Sequence, residues 1–272
     1  MDEDVRTALA AGRWLLTGAN GTIGSGLRHH LRDHVAALVV TDLDAPTDPG
    51  PNETSVAFDL TDGASIETVA EIAAEVDGVV HLAGIPSEAP YETLLRVNVL
   101  GTYHLLEGMR RGGTRRLVYA SSNHATGLHP AGELLDDHST IRPDGLYGAS
   151  KAAAEALTRM YADKFDLSVV NIRVGSFSER PESDREAATW LSHADAWRAF
   201  TAAMTADVDF ATIYGVSANT HRVWSLEPGH AIGFHPVDDA ADVLGPSAQP
   251  SPDEPQAGDT FASRDFTLKH TP

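Results

Sequence analysis

Thr17-Gly18-Ala19-Asn20-Gly21-Thr22-Ile23-Gly24 lies between a strand-like run, Trp14-Leu15-Leu16-Thr17, and a helical pattern over 21–33. Glycines 18, 21 and 24 permit a tight turn. They bring bare backbone, with Asn20, Thr22 and Ile23, to a helix N-terminus, where amide N–H groups and the helix dipole favour a pyrophosphate. The strand-turn-helix context separates this triplet from ordinary turn glycines. A carboxylate follows at the expected distance, for Asp42 closes the second apolar run, Val39-Val40-Thr41-Asp42-Leu43. There it can accept hydrogen bonds from adenosine ribose hydroxyls and repel a 2′-phosphate, which predicts NAD over NADP. A plain turn residue is the alternative reading of Asp42.

Working outward, strand-like runs at 37–41, 55–58, 78–82, 116–120, 167–174 and 210–216 alternate with helical patterns at 91–111 and 147–165. That alternation predicts an α/β chain with a Rossmann-type doubly wound parallel sheet. Asp59-Leu60 follows the third strand, where side chains can border an adenine ring. Leu82-Ala83-Gly84 follows the fourth, where a bare glycine lets backbone lie against the cofactor. Strand ends often carry Asp or Gly, so these are weaker signals. Beyond 174 the pattern loosens. Residues 190–205 read as a helix, and the last thirty or so are rich in Pro, Asp, Gly and Ser without periodicity, which predicts a loosely packed tail. The expected organisation is one domain over 1–272. A cofactor-binding core spans 13–174, and a smaller substrate-side and C-terminal region spans 175–272.

Tyr147 and Lys151 stand four apart at the start of the 147–165 helix, on one face, with Ser121-Ser122-Asn123 upstream. A cation beside a phenol favours the phenolate, so Tyr147 can serve as a base with Lys151 tuning it and Ser122 orienting the reacting oxygen. An amphipathic helix that merely begins with Tyr and Lys is the bland reading, which the nucleotide signature upstream disfavours.

The 272 residues carry 39 acidic and 20 basic side chains, a formal net charge of −19, and no cysteine. Such a field disfavours nucleic acid and anionic membranes as partners. The absence of cysteine removes disulfides, thiolate metal sites and a Cys nucleophile. No apolar stretch of about twenty residues occurs and the acidic N-terminus is unlike a signal peptide, so a cytoplasmic enzyme is expected. Lysines occur only at 151, 164 and 269. An acidic, lysine-poor surface suggests a halophilic host, with a GC-rich genome as the other source of the bias. The histidines lack metal-ligand spacing, and no metal is expected.

Taken together these motifs resemble the extended short-chain dehydrogenase/reductase family over about residues 13 to 240. Thr17 to Gly24 is similar to its TGxxGxxG fingerprint, His81 to Gly84 to its xxAG element and Tyr147 to Lys151 to its YxxxK. Asn98 matches its active-site Asn. Within the family, Ala120-Ser121-Ser122-Asn123-His124 and the run from Ile172 through Ser176 to Ala188-Thr189-Trp190-Leu191-Ser192 resemble the uronate dehydrogenases. Haloarchaeal NAD-linked glucose-6-phosphate dehydrogenases share the SSNH and WLS elements. The resemblance implies NAD as cofactor and a sugar acid as substrate. It further implies that Arg185 grips a substrate carboxylate, that Asn123 and His124 line the sugar pocket, and that Ser176 lies at the carboxylate end. Pro86 stands where uronate dehydrogenases carry a Ser, and Ser87 is the candidate to replace it. A surface ion pair with Asp184 or Glu186 is the alternative for Arg185, a backbone-bonded loop residue that for His124. Arg173, within an apolar strand, reads as structural.

The reaction expected is oxidation of a C1 hemiacetal to an aldonolactone, or to an aldarolactone from galacturonate or glucuronate. The alternatives are a sugar 1-dehydrogenase for glucose 6-phosphate or a neutral aldose, a nucleotide-sugar epimerase, and a non-catalytic NAD-binding scaffold. A homo-oligomer is expected by analogy, through the helices at 91–111 and 147–165.

Overall fold

The computed structural model describes residues 3–271. The strands are β1 (Arg13–Thr17), β2 (Ala37–Asp42), β3 (Glu53–Ala57), β4 (Gly78–His81), β5 (Arg116–Ser122), β6 (Ser168–Val174), β7 (Ser176–Phe177), β8 (Trp190–Leu191) and β9 (Phe210–Gly215). Seven of them form one parallel sheet in the order β3-β2-β1-β4-β5-β6-β9, while β7 and β8 pair separately. The expected doubly wound fold is borne out. The centre of the sheet is apolar on both faces: β4 is buried throughout, and β5 and β6 from their second residue on. Continuous Val/Leu/Ile runs result, rather than the alternation of a half-exposed strand.

The principal helices are α1 (Glu3–Ala11), α2 (Thr22–Leu31), α3 (Ser65–Ala73), α4 (Tyr91–Leu94), α5 (Gly101–Gly112), α6 (Leu146–Phe165), α7 (Glu186–Thr189) and α8 (His193–Thr205). One face of the sheet is covered by a core that includes Leu9, Leu27, Leu31 and Phe200 from α1, α2 and α8. The other is covered by Val69, Leu105, Met109 and Tyr161 from α3, α5 and α6. Each such fully buried side chain contributes about 1.5–3 kcal/mol of apolar transfer. The sheet order reverses between β1 and β4, and a crevice opens at the carboxyl ends of these strands, the usual ligand position in such sheets.

Local details depart from expectation. α1 and α3 are additional to the anticipated helices. The 91–111 helix is continuous in the chain but widens into a π-turn over Leu95–Leu100. Residues 190–191 form β8, and α8 starts only after Ser192, whose side chain caps it by accepting from Asp195 N. The tail, expected to be loosely packed, is docked. α9 (Glu227–Ala231) precedes it; the tail itself carries α10 (Ala241–Leu244), α11 (Asp259–Ala262) and α12 (Arg264–Leu268), and Gln256 and Ala257 are buried. Helices this short leave no readable periodicity. Among the described residues, no helix is long and apolar enough to cross a membrane.

Candidate active site

The β1–α2 turn faces the crevice. Gly18 has φ +71°, and an added Cβ would sit 2.6 Å from Ala83 N, so any side chain here is both strained and obstructed. Gly21 precedes α2 without a capping side chain, so the first amides of the helix are left to an anionic ligand. Asp42 ends β2 with one carboxylate oxygen accepting from Asn20 N at 2.9 Å and the other from Leu43 N at 2.8 Å. These bonds set the carboxylate at the rim of a cavity of about 700 Å³ that Gly18, Asn20, Gly21, Asp59, Leu60 and Gly84 also line. Leu82 and Ala83 border it too. Thr22, Ile23 and Gly24 line the adjoining cavity. The turn and the carboxylate therefore fit a dinucleotide.

Asn98 stands behind this cleft. Its Oδ1 accepts from Ile85 N at 2.8 Å, and its Nδ2 donates to Ile85 O at 3.2 Å and Ser150 Oγ at 3.0 Å. It ties the wall of the crevice to α6. The π-turn that carries it, a device often found at functional sites, has no signature in the hydrophobic pattern.

Across the cleft, β5 ends at Ser122 and runs into a 3₁₀ turn, Asn123–Thr126. α6 begins where Glu88 accepts from Leu146 N at 2.8 Å and Tyr147 N at 2.9 Å, so a carboxylate from a distant loop caps this helix. Ser122 Oγ accepts from His124 N at 3.2 Å. Burial pushes the Tyr147 phenol up to about 12; a hydrogen bond with Ser122 opposes this and the Asp144 charge adds to it. Burial brings Lys151 down to about 8, against the pull of Glu155. Lys151 Nζ donates to Ala120 O at 2.8 Å and lies 6.0 Å from the Tyr147 ring centroid. The expected lowering of the Tyr147 pKa by Lys151 is not seen: desolvation of the phenol dominates, and the opposing influence is the hydrogen bond with Ser122.

Beyond Tyr147, His124 Nδ1 meets Asp144 Oδ2 at 2.5 Å, and its ring lies edge-on to Tyr147 with centroids 5.7 Å apart. Its partner is thus a carboxylate and not loop backbone. Asn123 Nδ2 is buried with no hydrogen-bond partner among the described residues, an orphan donor on a residue that lines the cleft. Arg185 Nη1 donates to Ser176 Oγ at 2.8 Å and Nε to Ala257 O at 2.6 Å. Burial lowers its pKa, with Asp144 and Glu186 working the other way. The anticipated alternative, an ion pair with a neighbour, is not what forms. Glu186 instead accepts from Glu182 N at 2.8 Å and Ser183 Oγ at 3.1 Å.

Ser122, Asn123, His124, Tyr147, Lys151, Ser176 and Arg185 thus line one cavity of about 350 Å³. Ser87 does not join them: it is exposed, and Ile85 and Pro86 form that wall. Sequence reasoning missed Glu88, Asp144, Ala257 and Phe261. The first two act through contacts 58 and 20 residues away, and the last two lie in the aperiodic tail. Arg173 is buried and pairs with Glu155 at 2.8 Å, as the structural reading expected.

The family model described as "NAD dependent epimerase/dehydratase family" matches residues 14–207. The chain belongs to this family. It is 40% identical to the uronate dehydrogenase of Agrobacterium fabrum over 229 residues, 84% of this chain and 85% of that one. It is 34% identical to the NAD-dependent glucose-6-phosphate dehydrogenase of Haloferax volcanii over 250 residues, covering 84% and 94%. A crystal structure of a mutant Agrobacterium tumefaciens uronate dehydrogenase complexed with NAD superposes with a TM-score of 0.85 at 37% identity, covering 94% of this chain and 99% of that one. Membership in the NAD dependent epimerase/dehydratase family bears out the expected NAD cofactor and an NAD-linked enzyme rather than a scaffold. The resemblance to uronate dehydrogenases is borne out as well.

Proposed function

We propose that this enzyme oxidises the C1 hemiacetal of a hexuronic acid, galacturonate or glucuronate, to the aldarolactone, reducing NAD⁺ to NADH with release of a proton. The observation that carries this reading is a half-buried guanidinium, Arg185, facing the same cavity as Tyr147 and Ser122 and making no direct ion pair with a carboxylate among the described residues. A planar cation in a desolvated cleft is matched to a carboxylate. Its relatives include enzymes named for that reaction.

Residues 13–174 form the cofactor side. Gly18, Asn20, Gly21, Thr22, Ile23 and Gly24 hold the pyrophosphate and Asp42 the adenosine ribose. Asp59 and Leu60 border the adenine, and Leu82, Ala83 and Gly84 flank the cofactor, with Asn98 supporting that wall from behind. When bound, NAD⁺ supplies a hydride acceptor and a positive charge that favours the phenolate. Tyr147 takes the proton from the C1 hydroxyl, Ser122 holds that oxygen, and Lys151 keeps a cation beside the phenol. Residues 175–272 form the substrate side with Asn123 and His124. The Asn123 amide meets a sugar hydroxyl, and Ser176 with Arg185 takes the carboxylate.

The test is NADH formation from galacturonate, glucuronate, galactose, glucose and glucose 6-phosphate. A preference for the two uronates is expected. A preference for glucose 6-phosphate, the second reading and the named substrate of the Haloferax relative, replaces the proposed substrate and leaves Tyr147 its role. Turnover of a nucleotide sugar without net NADH would identify an epimerase. We also propose a cytoplasmic, salt-adapted homo-oligomer, given the net charge of −19. Activity should then rise in multimolar KCl, and sedimentation should give more than one chain per particle.

A further inference from the structure

Residues 254–257 run beside 127–131 in a short backbone ladder. Ala131 N donates to Glu254 O at 2.8 Å, Gln256 N to His129 O at 2.8 Å and Ala257 N to Gly127 O at 3.0 Å. The Gln256 side chain adds bonds to Pro130 O at 3.3 Å and Glu133 O at 3.0 Å. The ladder ends by delivering the Ala257 carbonyl to Arg185 Nε at 2.6 Å. Gly258 then turns the chain at φ +83°, so close that an added Cβ would lie 3.0 Å from Arg185 Cδ. α11 next sets the Phe261 ring over the guanidinium, with Cζ 5.1 Å from its centroid. The same ring is braced edge-on by His124 at 5.2 Å and Phe266 at 5.3 Å.

Arg185 is therefore held on three sides, by Ser176 Oγ, a carbonyl and an aromatic face, and none of these carries a charge. A chain with 39 acidic residues has carboxylates to spare for anchoring a structural arginine. Here the direct contacts orient the cation without pairing it, and Asp144 and Glu186 act on it only at longer range, which leaves its face to the cavity open to an anion.

We propose that the C-terminal tail, through the Phe261 face and the Ala257 carbonyl, positions the Arg185 guanidinium and thereby sets the preference for acidic over neutral sugars. This rests on the reaction proposed above. Phe261 is a positioning residue: it acts on the sugar carboxylate through Arg185.

The test compares the full-length wild type with Phe261→Leu, which keeps apolar bulk but loses the π face, and Phe261→Tyr, which keeps both. kcat and KM are measured for galacturonate and galactose, and the NAD⁺ dissociation constant by fluorescence titration. In Phe261→Leu, kcat/KM for galacturonate falls about tenfold, chiefly through KM. Galactose stays within about twofold, NAD⁺ affinity is unchanged and Phe261→Tyr stays near wild type. Gly258→Ala, which strains the tail beside the Arg185 stem, gives the same uronate-specific loss and is a second handle should Phe261→Leu misfold. Equal losses on both sugars, or a uronate preference that survives Phe261→Leu, overturn the role of the tail alone. A wild type without uronate preference overturns it together with the proposed reaction.

Discussion

Arg185→Met removes one positive charge from the cleft while keeping an unbranched stem beneath Phe261. In the wild type, Nε and Nη1 are engaged by Ala257 O at 2.6 Å and Ser176 Oγ at 2.8 Å. A substrate carboxylate therefore meets Nη2 and the remaining N–H of Nη1, on a cation that no carboxylate contacts directly. A hydrogen bond to a charged group contributes about 1.5–3 kcal/mol, and burial of this guanidinium places it at the upper end. About 3 kcal/mol corresponds to roughly a hundredfold in kcat/KM. The measurement is initial-rate NADH formation at saturating NAD⁺ with galacturonate and galactose in parallel. We expect roughly a hundredfold loss on the uronate and less than about threefold on the neutral sugar. Arg185→Lys, which restores the charge but not the planar fork, should fall between. Equal losses on both sugars would refute the carboxylate clamp and return Arg185 to a purely structural part.

Three further outcomes are expected. Tyr147→Phe should retain NAD⁺ binding, measured by fluorescence titration, and lose about 10²–10⁴-fold in kcat; because burial holds the wild-type phenol up at about 12, the base form gains with rising pH, so wild-type kcat/KM should climb from about pH 6 to about pH 8 and level off above it as Lys151, at about 8, loses its charge, and a flat profile over that range would contradict the assignment. Asp42→Ser removes the charge that opposes a 2′-phosphate and should shift the NADP-to-NAD ratio of kcat/KM upward by about tenfold or more, with some loss on NAD because Asn20 N and Leu43 N lose their acceptor. Arg173→Met leaves the Glu155 carboxylate buried without its partner and should cost about 3–5 kcal/mol, seen as a melting temperature lower by roughly 10 °C.

Much of the fold and much of the candidate site were legible along the chain. The parallel sheet was readable because strands covered on both faces must be continuously apolar. The cofactor turn was readable because Gly18 occupies a backbone conformation that other residues rarely adopt. Tyr147 and Lys151 were readable because four residues along a helix are neighbours by geometry. The tail was misread as loose, and Ser87 was expected where Ile85 and Pro86 form the wall. Neither packing against a distant loop nor the direction a loop residue faces leaves a periodic trace.

The sequence by itself determined the chemistry available to this protein: a dinucleotide turn, a carboxylate at the end of β2, and a phenol, an ammonium and a hydroxyl in the required order. Those are properties of short stretches, where helix and strand geometry relate position in the chain directly to position in space. Tertiary structure alone decided how that chemistry is held. Glu88 caps α6 from 58 residues away, Asp144 grips His124, and the tail crosses 72 residues of chain to fix Arg185 through Ala257. Such contacts depend on the folding together of segments whose local patterns carry no record of one another.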